Sequence, residues 1–175
     1  MIDQTELRAY SGDDLPGLKD LYAKAFPDED LFPVVKELSG GDFPVLSIVA
    51  THAGEIVGHV AFTTCEVSPD GVEVSLLAPL CAAPRLHRQG IGSALVREGF
   101  KQLNGVGLSQ VLVLGDPAYY SRFGFRPDDR IEPPYKLPDA WSEAWQSVHL
   151  RPDSAQASGK LLVPSPWDSK ALWAP

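Results

Sequence analysis

The apolar and polar positions in the first half of the chain predict two helices followed by a three-stranded meander. A first helix is expected to end near Phe26, because its apolar residues recur three or four positions apart: Leu15, Leu18, Leu21, Tyr22 and Ala25. Asp13 or Asp14 is its predicted cap. A short strand over residues 7–10 precedes this helix, and a second short helix over residues 30–39 follows it.

Three strands are predicted next, joined by two tight turns. Alternation over residues 45–51 and longer apolar runs over residues 56–66 and 72–83 indicate the strands, with turn residues between them. Pro79 lies inside the third strand and brings no backbone N–H, so it indicates a bulge or an edge, with an ordinary bend as the alternative. A bulge would free a backbone N–H just beyond the proline.

After residue 83 the pattern changes to a helix followed by a strand. A basic turn with two glycines leads into a helix over residues 90–104, and a compact apolar strand over residues 110–114 follows. This order predicts a right-handed parallel crossover. A short helix over residues 117–123 comes next, with Asp116 as its cap and Gly124 at its end.

The last third of the chain is rich in proline and gives weaker signals. Residues 126–138 are expected to form a loop, and strands are predicted over residues 145–150 and 160–163. The neighbouring prolines place both strands at edges or in loops. Because no repeat or boundary interrupts the pattern, we predict one domain over residues 1–175.

Composition and charge narrow the class of protein. The chain has 175 residues, 22% of them charged, as in an ordinary globular protein. Cys65 and Cys81 lack the spacing of a metal site and no basic signal segment precedes them, so a cytoplasmic protein without a metal is expected. No apolar run approaches the ~20 residues that span a bilayer, so no membrane partner is expected. The net charge of −8 argues against a nucleic-acid partner.

The turn at residues 84–93 is the predicted anion site. Residues 74–97 contain no Asp or Glu but include Arg85, Arg88 and Arg97. A buried strand excludes carboxylates, but a surface turn tolerates them, so burial alone does not account for the whole acid-free stretch. The N–H groups and the positive dipole end of the following helix would hold the anion.

Two common phosphate-binding patterns do not fit this turn. Leu95 stands where a Rossmann turn has its third glycine, and the Lys-Ser/Thr pair that follows the second glycine of a P-loop is missing. The remaining pattern, R/Q-x-x-G-x-G/A, is a pyrophosphate cradle. It begins at His87 and has Gly90 and Gly92 as its glycines.

A tyrosine pair on the predicted short helix is the second candidate for chemistry. Tyr119 and Tyr120 are adjacent, so they cannot share a helix face, and one of them is expected to face a cleft. A phenol, with a pKa of about 10, suits protonation of a thiolate of similar basicity. Packing of both rings in the core is the alternative.

These segments resemble the GNAT superfamily of N-acetyltransferases, in particular its bacterial YhbS-like subgroup. The matching stretches are Leu-Cys-Ala-Ala-Pro at residues 80–84, His-Arg-Gln-Gly-Ile-Gly-Ser-Ala-Leu at residues 87–95 and Val-Leu-Gly-Asp-Pro-Ala-Tyr-Tyr-Ser-Arg-Phe-Gly-Phe at residues 113–125. Gly-His-Val-Ala-Phe at residues 58–62 adds to the likeness. The resemblance covers a motif core of about residues 56–125.

The resemblance implies transfer of an acetyl group from acetyl-CoA to a primary amine. Backbone groups of Leu80, Cys81 and Ala82 would hold the acetyl carbonyl and the pantetheine, and Tyr120 would act as the general acid that protonates the CoA thiolate. The resemblance assigns the pyrophosphate and the rest of the cofactor to a further set of residues: His87, Arg88, Gln89, Gly90, Ile91, Gly92, Ser93, Asp116, Tyr119 and Phe123.

Two points within this resemblance stay open. His87 stands where Gln or Arg is usual, which leaves backbone contacts to a pyrophosphate intact but puts the side-chain contribution in question. The general base is not identified: His59 or Glu66 on the central hairpin is the candidate, together with Asp116. For His59, the alternative is a buried histidine with satisfied hydrogen bonds.

The expected fold is an α+β domain, with α/β layers on both faces of a mixed, mostly antiparallel central sheet that is splayed between strands 4 and 5. Residues 126–175 would supply the C-terminal strands and the tail. Acceptor specificity is expected in residues 15–39 and 126–145. The expected partners are acetyl-CoA and an amine acceptor, with monomer and homodimer both open. The alternatives are a non-catalytic acyl-CoA-binding module and an acetyltransferase acting on nucleic acid, which the net charge of −8 disfavours.

Overall fold

The computed structural model describes residues 4–173, and these form two compact units. The first unit comprises residues 4–62 and 78–101, and the second comprises residues 63–77 and 102–173. Two long strands and one helix pass from one unit into the other. The expectation of a single domain over residues 1–175 stays a prediction.

The first unit contains two early helices, four strand segments and most of a third helix. The elements are β1 (Thr5–Ala9), α1 (Leu15–Ala25), α2 (Phe32–Leu38), β2 (Val45–His52), the first part of β3 (Glu55–Ser68), the end of β4 (Val72–Ala82) and most of α3 (Ile91–Gly105). The strands follow the order β1-β2-β3-β4. β1 and β2 are antiparallel, with Thr5 opposite His52.

The second unit contains the remaining strands and two short helices. The elements that lie wholly within it are β5 (Gln110–Leu114), α4 (Pro117–Tyr120), β6 (Arg126–Pro127), β7 (Ile131–Glu132), β8 (Trp145–His149), β9 (Gly159–Leu162) and α5 (Lys170–Trp173). The strands follow the order β4-β5-β8-β6, and β9 lies between β3 and β7.

The sheet is mixed, as the sequence predicts. β4 and β5 run parallel, with Ser75 opposite Val111 and Leu76 opposite Leu112. β8 is antiparallel to both β5 and β6, whereas β9 is antiparallel to β3 and parallel to β7. These are the two residue pairs of the β4–β5 pairing, and β5 continues for two more residues. The predicted α+β fold is confirmed.

Close packing of α3 on β3 organises the core of the first unit. A Cβ placed on Gly58 would lie 2.7 Å from Cγ2 of Ile91 and 3.0 Å from Cδ1 of Leu95, so the missing side chain lets the helix approach the strand. Both α3 residues are fully buried. Burial of one such side chain contributes about 1.5–3 kcal/mol to the stability of the fold. The start of α3 is therefore held firmly on β3, and this fixes the end of the turn that precedes it.

Three tryptophans hold the core of the second unit together. Nε1 of Trp145 donates to the carbonyl of Ile131 at 2.7 Å, and Nε1 of Trp173 donates to the carbonyl of Trp167 at 2.9 Å. Nε1 of Trp167 donates to Oγ1 of Thr63 at 3.2 Å. Each buried indole thus has a polar partner, which is how large aromatic residues become tolerable in a core. The tail is packed up to Trp173, and the last two predicted tail residues lie outside the described range.

Asp14, one of the two predicted caps, occupies the N-cap position of α1, but its side chain does not cap the helix. A single turn of 3-10 helix (Gly12–Asp14) precedes α1, and the Asp14 side chain makes no capping bond to it. Instead, Asp14 accepts hydrogen bonds from both terminal nitrogens of Arg8 at 2.7 Å and from the backbone N–H of Ser11 at 2.8 Å. A bidentate guanidinium–carboxylate pair is stronger than one capping bond, so the carboxylate turns toward Arg8.

Two expectations for the last third of the chain are also wrong. β8 lies between β5 and β6, and β9 lies between β3 and β7, so neither is an edge strand. The predicted loop contains the two-residue strands β6 and β7. Pro127 belongs to β6, where a residue without an N–H is tolerated because β6 pairs only with β8 among the described strands. No helix within residues 4–173 has the length and apolarity needed to cross a membrane.

Candidate active site

The predicted anion turn lies in the first unit, between β4 and α3. After a 3-10 turn over Pro84–Leu86, the chain adopts positive φ at Arg88 (67°) and at Gly90 (83°) before α3 begins. A left-handed arginine is uncommon and costs on the order of 1 kcal/mol or more, and such residues concentrate at ligand clamps. Two left-handed residues within three positions therefore bend the chain sharply just before α3.

The start of α3 supplies free backbone donors. The first hydrogen bond of the helix runs from the N–H of Ala94 to the carbonyl of Gly90 at 3.0 Å. The N–H groups of Ile91, Gly92 and Ser93 thus have no carbonyl one turn earlier within the helix. Because α3 has 15 residues, its dipole adds positive potential at this end. These features are the ones that favour anions at a helix N-terminus, and the cradle itself stays a prediction.

The side chains of the turn are partly engaged with the protein. Arg85 forms an ion pair with Glu55 at 2.9 Å, and both side chains are more than half exposed. Nε2 of His87 lies 3.2 Å from the carbonyl oxygen of Ala82 and can donate to it. The His87 side chain therefore braces the turn against β4, while Arg88 and Gln89 are exposed.

The end of β4 combines a buried side chain with half-buried neighbours. Cys81 is buried, whereas Leu80 and Ala82 are half-buried. Burial raises the pKa of the Cys81 thiol to about 12, partly offset by hydrogen bonds from Tyr22 and from the backbone of His59. The thiol is therefore neutral near pH 7 and unsuited to nucleophilic attack, which agrees with a packing role.

His59 is fully buried, with only 1% of its surface exposed. Its Nδ1 lies 2.6 Å from the hydroxyl of Tyr22, and its Nε2 lies 2.8 Å from Oγ of Ser47. Burial lowers the pKa of His59 to about 4. Both ring nitrogens are occupied, and this favours the satisfied buried histidine over the general base.

Tyr120 lies in an aromatic cluster of the second unit. Its ring packs edge-on against Tyr119 at 5.0 Å and against Phe125 at 5.7 Å, with Phe123 at 6.3 Å. A Cβ on Gly115 would overlap the Tyr120 ring, so this glycine makes room for it. Burial, followed by the nearby Tyr119, raises the pKa of the Tyr120 phenol above its ordinary value of 10. The phenol keeps its proton at neutral pH, as a general acid must.

The other predicted residues of the second unit are placed as follows. Asp116 is the cap of α4, because its carboxylate accepts the N–H of Ala118 at 2.9 Å. Tyr119 is half-buried and lies under the guanidinium of Arg122, 4.3 Å from its ring centroid. Phe123 is buried. Glu66 is exposed and stands opposite Leu162 on β9.

Two residues of the first unit, Tyr22 and Ser47, contact His59 although the sequence did not predict these contacts. Tyr22 was expected only as an apolar position of α1, and Ser47 as one residue of an alternating strand. The structure joins both to His59 by hydrogen bonds. Helical spacing identifies Tyr22 as buried, but it carries no information about the partner of its hydroxyl.

A shallow cavity of about 410 Å³ opens beside the start of the turn. Its lining includes an apolar floor with Leu21 and Ile56, and an exposed rim with two acidic and two basic side chains: Asp20, Lys24, Glu55 and Arg85. Any molecule entering it would meet both signs of charge. Within residues 4–173 no three His, Cys, Asp or Glu side chains are grouped so as to hold a metal ion.

Comparison with known proteins points to one family. The profile of the acetyltransferase (GNAT) domain matches residues 45–127. The Escherichia coli K12 protein YjhQ, described as an uncharacterized N-acetyltransferase, is 33% identical over 134 residues, which cover 74% of this chain and 74% of YjhQ. YhbS of the same strain, described in the same terms, is 37% identical over 113 residues, or 64% of this chain and 68% of YhbS.

Solved structures extend the likeness to nearly the whole chain. The E. coli GNAT-family N-acetyltransferase YhbS, crystallised in complex with CoA, superposes with a TM-score of 0.86 at 29% identity, covering 95% of this chain and 93% of YhbS. A GNAT-family acetyltransferase from Brucella melitensis, in complex with acetyl-CoA, gives 0.75 at 27% identity, covering 94% and 98%. Taken with the match to YjhQ, these similarities show that the chain belongs to the GNAT family of acetyltransferases.

Proposed function

We propose that the protein transfers an acetyl group from acetyl-CoA to a primary amine by direct attack in a ternary complex. The observation that carries the proposal is the turn before α3, where Gly90 has a positive φ and three N–H groups lack a partner within the helix, an arrangement that would hold an anion. The relatives solved with CoA and with acetyl-CoA support the choice of that anion. The absence of Asp and Glu from residues 74–97, the segment that contains the turn, fits a pyrophosphate better than a neutral ligand.

In the first unit, the chain would bind and orient the co-substrate. The N–H groups of residues 91–93 would hold the pyrophosphate, with Gly90 allowing close approach of the backbone. Backbone groups of Leu80, Cys81 and Ala82 would hold the acetyl carbonyl and the pantetheine by strand-like hydrogen bonds. Fixing the acetyl group in this way lowers the entropy cost of attack.

In the second unit, Tyr120 would complete the reaction. When the amine nitrogen bonds to the acetyl carbon, the carbon–sulfur bond breaks and the sulfur leaves as a thiolate. The Tyr120 phenol would donate its proton to that sulfur. Its raised pKa supports this role, because the phenol remains protonated throughout the neutral range. Asp116, Tyr119 and Phe123 would support the cofactor side of the site.

The attacking amine must also lose a proton. Of the three candidate bases, His59 has both nitrogens bonded and a pKa of about 4, and the Asp116 carboxylate caps α4, whereas Glu66 is exposed to solvent. Glu66 is therefore the best supported of the three, with loss of the proton to water as the simplest alternative.

A thiol-release assay tests the reaction itself. The protein is mixed with acetyl-CoA and a panel of primary amines, amino acids and peptides, and free CoA is measured with a thiol reagent. We expect at least one amine to raise CoA release above the rate without acceptor. Binding of CoA in a calorimeter with no release for any amine would instead indicate the non-catalytic acyl-CoA-binding module.

A glycine substitution tests the cradle. Gly90→Glu places a carboxylate where the pyrophosphate would lie, so we expect CoA affinity to fall by about tenfold or more. Gly54→Glu is the matched control, because Gly54 has the same φ of 83° but lies in a turn with open space around it. Equal CoA affinity of the two variants would show that the cradle is misassigned.

The same proposal includes the type of acceptor, the oligomeric state and the cellular location. We propose a small-molecule or protein amine as the acceptor, a monomer or homodimer as the active state, and a cytoplasmic location. The two free, buried cysteines support a reducing compartment. Acceptor specificity is proposed for the first two helices and for residues 126–145.

A further inference from the structure

A buried glutamine on β8, Gln146, binds the residue that follows β5. Only 1% of its surface is exposed. Its side-chain amide donates to two backbone carbonyls, that of Gly115 at 3.1 Å and that of Ala144 at 3.3 Å. The N–H of Gly115 also donates to the carbonyl of Ala144, at 3.0 Å. Gly115 is therefore held through both its N–H and its carbonyl, and the Gln146 amide supplies the second of these bonds.

Packing alone does not call for a glutamine at this position. Gln146 stands opposite Val113 on β5 and Pro127 on β6, and both of these residues are apolar. A buried amide costs free energy unless its polar atoms are hydrogen-bonded. The side-chain NH2 group has two hydrogens, and here it has two carbonyl acceptors. The bonds to the two carbonyls are therefore what the amide adds to a position that an apolar side chain could fill.

Gly115 in turn forms the backbone surface against which the Tyr120 ring lies. A Cβ on Gly115 would overlap the Cε2 and Cδ2 atoms of that ring, so the ring packs directly on the glycine α-carbon. The other neighbours of the ring are the aromatic side chains of Tyr119, Phe123 and Phe125. Because packed groups transmit small displacements to one another, a shift of Gly115 would move the Tyr120 ring.

We propose that Gln146 is a positioning residue for Tyr120, because it fixes the Gly115 backbone on which the tyrosine ring rests. The proposal rests on the proposed function, since Tyr120 is the residue assigned as the general acid. Gln146 does not touch the reacting atoms in this account and acts through Gly115. A general acid must keep its oxygen within hydrogen-bond reach of the group that it protonates, so a small displacement of the ring slows the proton transfer.

Gln146→Met is the test variant, because methionine has a similar length and no N–H to donate. Gln110→Met is the matched control. Gln110 is 2% exposed at the start of β5, where its Oε1 accepts the N–H of Ala157 at 3.3 Å. The control therefore removes a buried amide from the other end of the same strand, five residues before Gly115. Gln146→Leu is a second test variant, and circular dichroism checks the folding of each protein.

Nuclear magnetic resonance tests the link without any activity measurement. One α-proton of Gly115 points along the direction in which a Cβ would overlap the Tyr120 ring, so the ring current shifts it away from the other α-proton. Tyr120→Leu removes the ring and gives the reference separation of the two signals. We expect Gln146→Met to move the separation most of the way toward that reference, and Gln110→Met to leave it at the wild-type value. A wild-type separation in Gln146→Met would overturn the proposal.

Kinetics test the functional half. For Gln146→Met we expect kcat to fall about three- to tenfold, with the KM for acetyl-CoA within about twofold of the wild type, because the acid is displaced and the binding of the co-substrate is not. In the Tyr120→Phe background the same substitution should lower kcat by less than about twofold, since the proton to be positioned is already gone. An equal fall in both backgrounds would indicate a merely structural role and would overturn the proposal.

The outcomes separate the two proposals. If wild-type protein does not bind acetyl-CoA in a calorimeter, the proposed function fails, whatever the Gly115 signals show. If the wild type binds and reacts, but Gln146→Met leaves kcat unchanged, the positioning role is overturned while the function stands. Loss of folding in both Gln146 variants, with Gln110→Met folded, would also overturn it, because Gln146 would then serve the stability of the unit.

Discussion

At the scale of single residues, environment decides what each polar side chain can do. Cys81 and His59 carry nucleophilic or basic groups, yet burial raises the thiol pKa to about 12 and lowers the imidazole pKa to about 4. Both groups are neutral near pH 7. Burial also raises the pKa of the Tyr120 phenol, but here it supports the proposed role, because the phenol keeps the proton that an acid must donate.

Replacement of Tyr120 tests this residue directly. Tyr120→Phe keeps the ring among its aromatic neighbours and removes the proton, so we expect kcat to fall about 10²-fold with CoA affinity within about twofold. In the wild type, the activity should show no loss through this phenol below about pH 10, because its pKa is raised above that value. Steady-state kinetics across pH measure both.

The control for this variant is Tyr10→Phe. Tyr10 is half-buried just after β1, outside both segments proposed for acceptor specificity. Loss of its hydroxyl should leave kcat unchanged. Unaltered kcat in Tyr120→Phe would remove the phenol from the mechanism and favour the packing alternative for this tyrosine.

At the scale of elements, helix α3 packs closely on strand β3 because glycines stand at their contact. Gly99 lies in the middle of α3, and a Cβ there would overlap the ring of Phe62 on β3, which is 1% exposed. Glycine is a poor helix former, so its presence inside a helix reflects the need for close approach. Gly105 ends the same helix and has nothing within 4 Å of its Cβ position.

These two glycines make a matched pair for stability. Gly99→Ala should destabilise the protein by roughly 1–3 kcal/mol, because overpacking outweighs the gain in helix propensity. Gly105→Ala should be neutral or stabilising by up to about 1 kcal/mol, since only the propensity term remains. Urea unfolding measures both. Equal effects would show that α3 does not rest on β3 as closely as the structure has it.

The elements also show how much the sequence can predict. Strand β5 agrees with its prediction at both ends, and α3 agrees within one residue, because each has a long or strongly apolar pattern. β6 and β7 were missed. Strands of two residues have no periodicity of their own and exist only through their partners β8 and β9. The edge prediction for β8 failed for the same reason, because its second partner, β6, lies in a segment that was predicted to be a loop.

The candidate site shows the same contrast between features that neighbouring residues reveal and features that arise only on folding. The glycine turn before α3 was predictable because its glycines stand close together in the sequence, and its role as a cradle stays a prediction. The bonds of the Asp14 carboxylate were not predictable, because the guanidinium that binds it stands six residues away. The partner of the Tyr22 hydroxyl was hidden for the same reason, because β3 meets α1 only in the folded chain.

At the scale of the whole molecule, His59 makes stability depend on pH. Its pKa is about 4 in the folded protein, against an ordinary 6.5, so between these values the unfolded chain binds more protons. Stability is fully present above pH 6.5 and falls as the pH drops toward 4. The shift corresponds to a loss on the order of 3 kcal/mol over that window.

Urea unfolding at a series of pH values tests this dependence. His59→Gln removes the titrating group, so we expect the free energy of unfolding to change less between pH 6.5 and 4 than it does in the wild type. The comparison concerns the slope, because the variant also loses hydrogen bonds and starts from a lower stability. Parallel slopes would show that His59 is not the group responsible.

Tryptophan fluorescence can report on only one of the two units. All four tryptophans, Trp141, Trp145, Trp167 and Trp173, fall in the second unit, and the first contains none. Indole fluorescence therefore follows the unfolding of one unit, whereas far-ultraviolet circular dichroism follows the helices α1 and α2 of the other as well. Coincident melting curves would indicate one cooperative domain, and a fluorescence change offset from the dichroism change would indicate two.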